Sequence, residues 1–418
     1  HALNTFEPSD TRSKPETMTW PMNKAIAEVI SLDLDPGIYT IQTSISPRLQ
    51  EATQESVDTF MEDILPQRTT GQYRGGVTFL DENGHIKSFV DTESPTETAF
   101  SLLQGQHQPG SVLKPMVIQA IMEEYDVIDQ IPEPFETYQV LDIDPYNSIY
   151  RRTTFSAETR QTMRSYAQYI PENWDHKHKG RMDLDDALVE SRNRAMVNMC
   201  MEFFSVINTQ TGLSYEDYSH SLLDYMSNRG ITGFVKEGTV TDARPMLCQG
   251  TTMNGVNPLS LPSNFLSFTT GSLYEPTIIQ SVQQSYPVNQ AIEHHPERIR
   301  ALTRTEQTFG SQVSEVLERV VTETTGRRIL DYSIPDSTRI FGKTGTTDTG
   351  ISQVTVFEDI YRTSTDSLTL GSGVYLRRVD GGKNRITSPI LGHVNGMVVE
   401  NLSTSYQADS LSVSSPQN

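Results

Sequence analysis

The sequence predicts an α+β layer architecture in which early and late strands close around a helical middle. Three observations carry that reading. A β-branched run and a hairpin signal occur within the first hundred residues, apolar residues recur at helical spacing through the interior, and the final third alternates strands with turns.

Residues 1–35 are polar and contain proline, with one short helical stretch over Met22–Ile30. They read as a linker or a junction to a preceding domain. Ile38-Tyr39-Thr40-Ile41-Gln42-Thr43 is a strand because β-branched residues dominate it. Ser46-Pro47 offers an N-cap and a first-turn proline to a helix over Arg48–Val57. Gly76–Leu80 and His85–Val90 flank the turn Asp81-Glu82-Asn83-Gly84, a hairpin signal. A strongly apolar helix starts at Gly110-Ser111 and runs to about residue 128. Further helices are expected over Asp183–Phe204, near Tyr215–Asn228 and over Gly310–Thr325, where Val313, Val316, Leu317 and Val320 share a face. A Gly/Asn/Pro-rich loop is expected from residue 250. Ile340–Gly345, Gln353–Phe357 and Leu368–Leu376 are the late strands. The Ser-rich tail from Ser403 reads as disordered, which leaves 36–402 as the folded domain.

The composition narrows the functions available. A net charge of −20 repels phosphate backbones and argues against nucleic acid as a partner. The basic run His176–Arg181 reads as a solvated loop. Two cysteines, Cys200 and Cys248, exclude a four-cysteine zinc site. They could form one disulfide in an oxidising compartment, but two buried free thiols are the reading adopted. No metal or cofactor is called for.

Three short motifs carry chemistry. Ser111-Val112-Leu113-Lys114 at a helix start places a hydroxyl and an amine one turn apart. A serine hydroxyl needs a base. A lysine becomes one when burial and nearby cations depress its pKa, and the apolar residues Met116-Val117-Ile118 supply the dry setting. Gly110 would let a substrate approach closely. Ser191-Arg192-Asn193, expected on the helix from Asp183, offers a hydroxyl to relay a proton and an amide to bind a peptide group. Lys343-Thr344-Gly345-Thr346 on a strand can hold a carboxylate with its cation and hydroxyls. Gly345 leaves room for an extended peptide along the strand edge. The backbone N–H groups of Ser111 and Thr346 would form an oxyanion hole. Each motif alone is weak; their order is not.

Ser-x-x-Lys, then Ser-x-Asn, then Lys-Thr-Gly is the signature of penicillin-binding proteins and their β-lactamase relatives. In that order and context the chain resembles the transpeptidase domain of penicillin-binding proteins. The likeness extends further. Tyr39–Gln50 is similar to the family's opening segment, Tyr169–Trp174 with Gly180 and Leu184–Asn193 to its central block, Asn257–Leu261 with Gly271–Pro276 to a later one, and Arg385–Ile390 to the closing segment. Gln108-Pro109-Gly110-Ser111 leans toward the class A, bifunctional members, in which a glycosyltransferase domain and a membrane anchor precede this region. The resemblance implies a central, mainly antiparallel sheet with helices on both faces. It also implies a D,D-transpeptidase acting on peptidoglycan stem peptides of lipid II-derived strands that end in D-Ala-D-Ala, with β-lactams as acylating mimics. In that reading Ser111, Lys114 and Ser191 are catalytic, and Asn193, Lys343, Thr344, Gly345 and Thr346 bind substrate. The implied setting is extracytoplasmic and membrane-anchored, with other cell-wall synthesis proteins as further partners. The rivals are a D,D-carboxypeptidase and a non-catalytic β-lactam sensor or scaffold. Two departures stand out. Ile351–Phe357 replaces a Trp-Phe strand, and Arg192 fills the middle of Ser-x-Asn, which suggests altered substrate detail.

Overall fold

The structure, a computed structural model, describes residues 19–92, 101–124, 138–143, 171–212, 215–231, 248–250, 255–286, 290–292, 296–362, 367–384 and 386–413. Helix α1 (Thr19–Ser31) buries Trp20 and Ala25, so part of the expected junction packs as part of the domain. Strand β1 (Ile38–Thr43) and helix α2 (Pro47–Thr59) follow as predicted. The Ser46 hydroxyl accepts the Leu49 N–H at 3.4 Å, and Pro47 occupies a position whose N–H would have no helical partner. In the hairpin of β2 (Tyr73–Asp81) and β3 (Ile86–Asp91), the Asp81 carboxylate accepts the N–H groups of Asn83 and His85, each at 3.0 Å.

The helix expected from Gly110 begins instead as one 3₁₀ turn, Gly110–Leu113, before α3 (Lys114–Glu124); residues 125–128 lie outside the described ones. Strand β4 (Gln139–Asp142) pairs with β5 (Gly180–Asp183). The single helix expected over Asp183–Phe204 is two, α4 (Leu184–Val189) and α5 (Asn193–Thr211). A Schellman turn separates them. Ser191 takes a left-handed φ of +58° and gives its N–H to Leu188 O at 3.1 Å, while Arg192 N–H reaches back to Ala187 O at 2.8 Å. Helix α6 (Tyr215–Ser227) agrees with the sequence, whereas α7 (Ser260–Thr270) stands where loop was expected. Short strands β6 (Ser272–Tyr274), β7 (Ile279–Tyr286), β8 (Gln290–Ile292) and β9 (Arg298–Ala301) lead to α8 (Arg304–Glu323). Helix α8 opens with a full capping box between Thr303 and Glu306.

The late strands β10 (Arg339–Thr346), β11 (Gly350–Arg362) and β12 (Ser367–Arg378) complete a five-stranded antiparallel sheet in the order β10-β11-β12-β2-β3. Helix α9 (Gly392–Val413) runs on into the tail read as disordered. Val394, Val398, Val399 and Leu402 give that helix a buried stripe that its serines disguise. Apolar residues alternate across β11. Val354 and Val356 join a core under α3, α5, α7 and α8, and Ile351 and Phe357 join a second core under α2 and α9. The sheet is thus covered on both faces, as the resemblance implied.

The cysteine expectation is overturned. Cys200 on α5 and Cys248 are both buried and form a disulfide, their Cα atoms 6.3 Å apart. Nothing in their sequence separation of 48 residues announces that meeting. A second buried feature ties α6, α7 and α8 together. Arg229 meets Glu306 at 3.1 Å, donates to Asn264 and Ser267 at 2.8 Å each, and shares Glu306 with Arg300.

Candidate active site

The three motifs converge at the free edge of β10. Gly345 and the turn Pro109–Ser111 lie so close that a Cβ on Gly345 would sit 2.1 Å from Pro109 O and 3.2 Å from the Ser111 amide nitrogen. Conversely, a Cβ on Gly110 would lie 3.2 Å from Thr346 N. Gly110 has φ +59°, a conformation that glycine adopts without steric cost. The Ser352 hydroxyl donates to Pro109 O at 2.7 Å and fixes the turn against β11. The Ser111 and Thr346 amides therefore lie on two segments packed against each other.

Lys114 is fully buried. Its Nζ donates to Ser191 O at 2.8 Å, to Ser191 Oγ at 3.2 Å and to Asn193 Oδ1 at 2.7 Å. Burial, reinforced by the nearby charge of Lys343, pushes its pKa well below the usual lysine value; Asp142 opposes the shift without reversing it. A lowered pKa eases loss of the proton that the amine must shed before it can act as a base. Among the described residues no hydrogen bond joins Ser111 Oγ to Lys114 or Ser191. Lys114 is held by the Ser-x-Asn stretch, with the nucleophile candidate one helical turn before it, and contacts of this kind commonly tighten only when substrate arrives.

The Schellman turn explains how Ser191 and Asn193 both reach Lys114. It ends α4, reverses the chain for one residue and starts α5 with Asn193. A serine in the left-handed region is uncommon, and such backbone strain concentrates at functional sites. Asn193 also donates to Glu172 O at 2.7 Å. Arg192, expected to bear on substrate detail, turns into the protein instead. It bonds Glu190 and Asp175 at 2.9 Å and lies 3.9 Å from Asp142. Asp142 accepts from Asn173 Nδ2 at 2.7 Å and from Lys179 N at 2.9 Å, so Arg192 clamps the 171–179 loop beside the site. In that loop the basic run is largely exposed, as expected.

On β10, Lys343 is also fully buried, and desolvation lowers its pKa to about 7. Its Nζ donates to Thr344 O at 3.2 Å. Thr346 donates to Ser388 Oγ at 3.1 Å, whereas the Thr344 hydroxyl turns away to Thr325 at 2.6 Å. Sequence reasoning missed Asp142, Thr325 and Ser388. Ser388 lies in a segment already noticed as family-like; the other two carry no sequence signal.

Residues 150–355 match the family described as "Penicillin binding protein transpeptidase domain". Over that stretch the chain is similar to the transpeptidase domain of penicillin-binding proteins. Penicillin-binding protein 1F of Bacillus subtilis (strain 168) is 24% identical over 326 residues, covering 76% of this chain. The chain spans 37% of that relative's length. Among solved structures, penicillin-binding protein PonA1 from Mycobacterium tuberculosis superposes with a TM-score of 0.62 at 13% identity, covering 92% of both chains. Penicillin-binding protein A from M. tuberculosis, solved as an acyl-enzyme complex with ceftriaxone, gives 0.57 at 15% identity, with 91% of this chain and 83% of that one covered. These similarities agree with the expected α+β fold.

Proposed function

We propose that this domain is a peptidoglycan D,D-transpeptidase in which Ser111 carries the acyl group. The observation that supports this most is a buried lysine with a depressed pKa, gripped by Ser191 and Asn193, beside the packed segments that carry the Ser111 and Thr346 amides. In this reading Lys114 takes the Ser111 proton as Oγ bonds to the carbonyl carbon of the penultimate D-Ala. The oxyanion rests on the two amides. The C–N bond to the terminal D-Ala then breaks, and Ser191 passes the proton from Lys114 to the departing amine. Lys343 and Thr346 hold the terminal carboxylate, whose charge draws Lys343 into its protonated form, while Thr344 and Gly345 line the strand edge along which the peptide lies. An amine from a neighbouring stem peptide attacks the ester, and Ser111 recovers its proton.

An extracytoplasmic location belongs to the same proposal, and the Cys200–Cys248 disulfide supports it because such bonds persist in oxidising compartments. Among the described residues no helix is long and apolar enough to cross a membrane. Mass spectrometry after incubation with benzylpenicillin tests the nucleophile. A covalent adduct that disappears in Ser111→Ala is expected, and an adduct that survives the substitution overturns the assignment. Incubating the enzyme with a D-Ala-D-Ala peptide and an acceptor amine tests the second half. A cross-linked product is expected; hydrolysis alone would make the protein a D,D-carboxypeptidase.

A further inference from the structure

The mechanism leaves the disulfide and the short segment after Cys248 without a role, yet that segment touches the nucleophile. Gly250 has φ +92°, and a Cβ there would lie 2.0 Å from Gly110 O, 2.6 Å from Gly110 C and 3.2 Å from Ser111 Cα. Neither the backbone conformation nor the space admits a side chain. The turn 109–111 is consequently gripped from two sides by glycine backbone, Gly345 of β10 on one and Gly250 on the other. Gly345 is fixed by the sheet. Gly250 is two residues from Cys248, which is bonded to Cys200 on α5. Helix α5 begins at Asn193, two turns before Cys200, and Asn193 holds Lys114. One covalent bond thus connects the helix that positions the base to the segment pressed against the nucleophile.

We propose that Gly250, anchored by the Cys200–Cys248 disulfide, is a positioning residue that sets the placement of Ser111 relative to Lys114. The proposal rests on the reading of Ser111 as the acylated residue. Its physical basis is the steep dependence of reaction rate on placement, in which an error of about 1 Å costs about a hundredfold. Both cysteines are almost fully buried, so the bond acts as a fixed brace in the folded enzyme.

Acylation by a chromogenic cephalosporin, followed by stopped flow over a range of concentrations, separates the binding constant from the first-order acylation rate. The paired variant Cys200→Ala/Cys248→Ala should bind as the wild type does and acylate about tenfold more slowly. Gly250→Ala, which keeps the disulfide, should acylate about a hundredfold more slowly. The amplitude distinguishes positioning from general damage. Loss of folded protein shrinks the acylatable fraction at an unchanged rate, whereas a displaced nucleophile lowers the rate at full amplitude. Folded variants that acylate at the wild-type rate, or whose only defect is reduced amplitude, overturn the proposal. A wild type that is never acylated overturns the transpeptidase reading and this one together, so the two failures are distinct.

Discussion

Arg229 and Lys114 are both long cationic side chains with no exposure, in one continuous core, but their surroundings differ. Arg229 faces Glu306 at 3.1 Å, with Asn264 and Ser267 taking its other N–H groups and Tyr225 donating to the same carboxylate at 2.9 Å. Among the described residues Lys114 meets only neutral oxygens within hydrogen-bond reach, and the charge of Lys343 adds to its desolvation. Among the described residues neither lysine forms an ion pair with a carboxylate. A guanidinium cannot give up its proton, so burying one demands a counterion. An ammonium can, so burying it without a paired counterion favours its neutral form. The first arrangement fixes helices; the second suits the base proposed for Lys114. Charge pairing, rather than burial, separates a structural cation from a chemical one.

The comparison can be broken in several places. Lys114→Arg keeps the cation but removes any accessible neutral form, so benzylpenicillin acylation should fall about 10³-fold, within the range for loss of a general base. Glu306→Gln does the opposite to the other region. It strips the counterion from Arg229 and should cost about 3–5 kcal/mol in urea unfolding, with little change in the acylation rate of the protein that remains folded. Lys343 sharpens the contrast through pH. Its folded pKa of about 7 lies below its unfolded value, so the unfolded chain binds more protons between about pH 7 and 10.5 and stability rises with pH across that window. Lys343→Met should therefore stabilise the fold more at pH 6.5 than at pH 10. The acylation efficiency of the free enzyme should be bell-shaped, one limb set by loss of the Lys114 proton and the other by loss of the Lys343 proton, whose pKa is about 7. Ser191→Gly relieves the left-handed strain of the Schellman turn and should raise stability by about 1 kcal/mol while slowing acylation. The smallest effect belongs to a cation in water. Arg339 is one-third exposed and pairs with Glu318 and Glu358, and Arg339→Ala should shift stability by about 1 kcal/mol or less with no effect on acylation.

Much of this was legible in the sequence, and the misses have physical causes. The hairpin, β1, the Ser46 cap and the late strands were readable because alternation, turn chemistry and capping are local. Helix α8 could have been started correctly from Thr303-x-x-Glu306, a capping-box signal that the apolar periodicity alone did not use. Helix α7 was hidden by Pro262, which sits in its first turns where a proline is tolerated. The order of the three motifs located Ser111, Lys114, Ser191 and Lys343, but the residues that set their charge and placement were out of reach. Asp142, Thr325 and Gly250 matter because of what lies across from them in space. The same is true of the disulfide. Reading Ser191 onto a continuous helix failed for a more specific reason: the turn that breaks the helix normally uses glycine, whereas a serine takes the left-handed position here.

The pairing of β2 with β12 joins Tyr73–Asp81 to Leu370–Arg378, stretches about 300 residues apart along the chain. Synthesis proceeds from the amino terminus, so the hairpin that begins the sheet is made long before its partner exists. Until β12 arrives, β2 has an open edge and β10–β11 has no connection to it. A product truncated before Ser367 would contain every one of the three motifs and still lack the strand that holds its two ends together. Possession of the three motifs and possession of a closed sheet around them are thus events separated by the synthesis of β12.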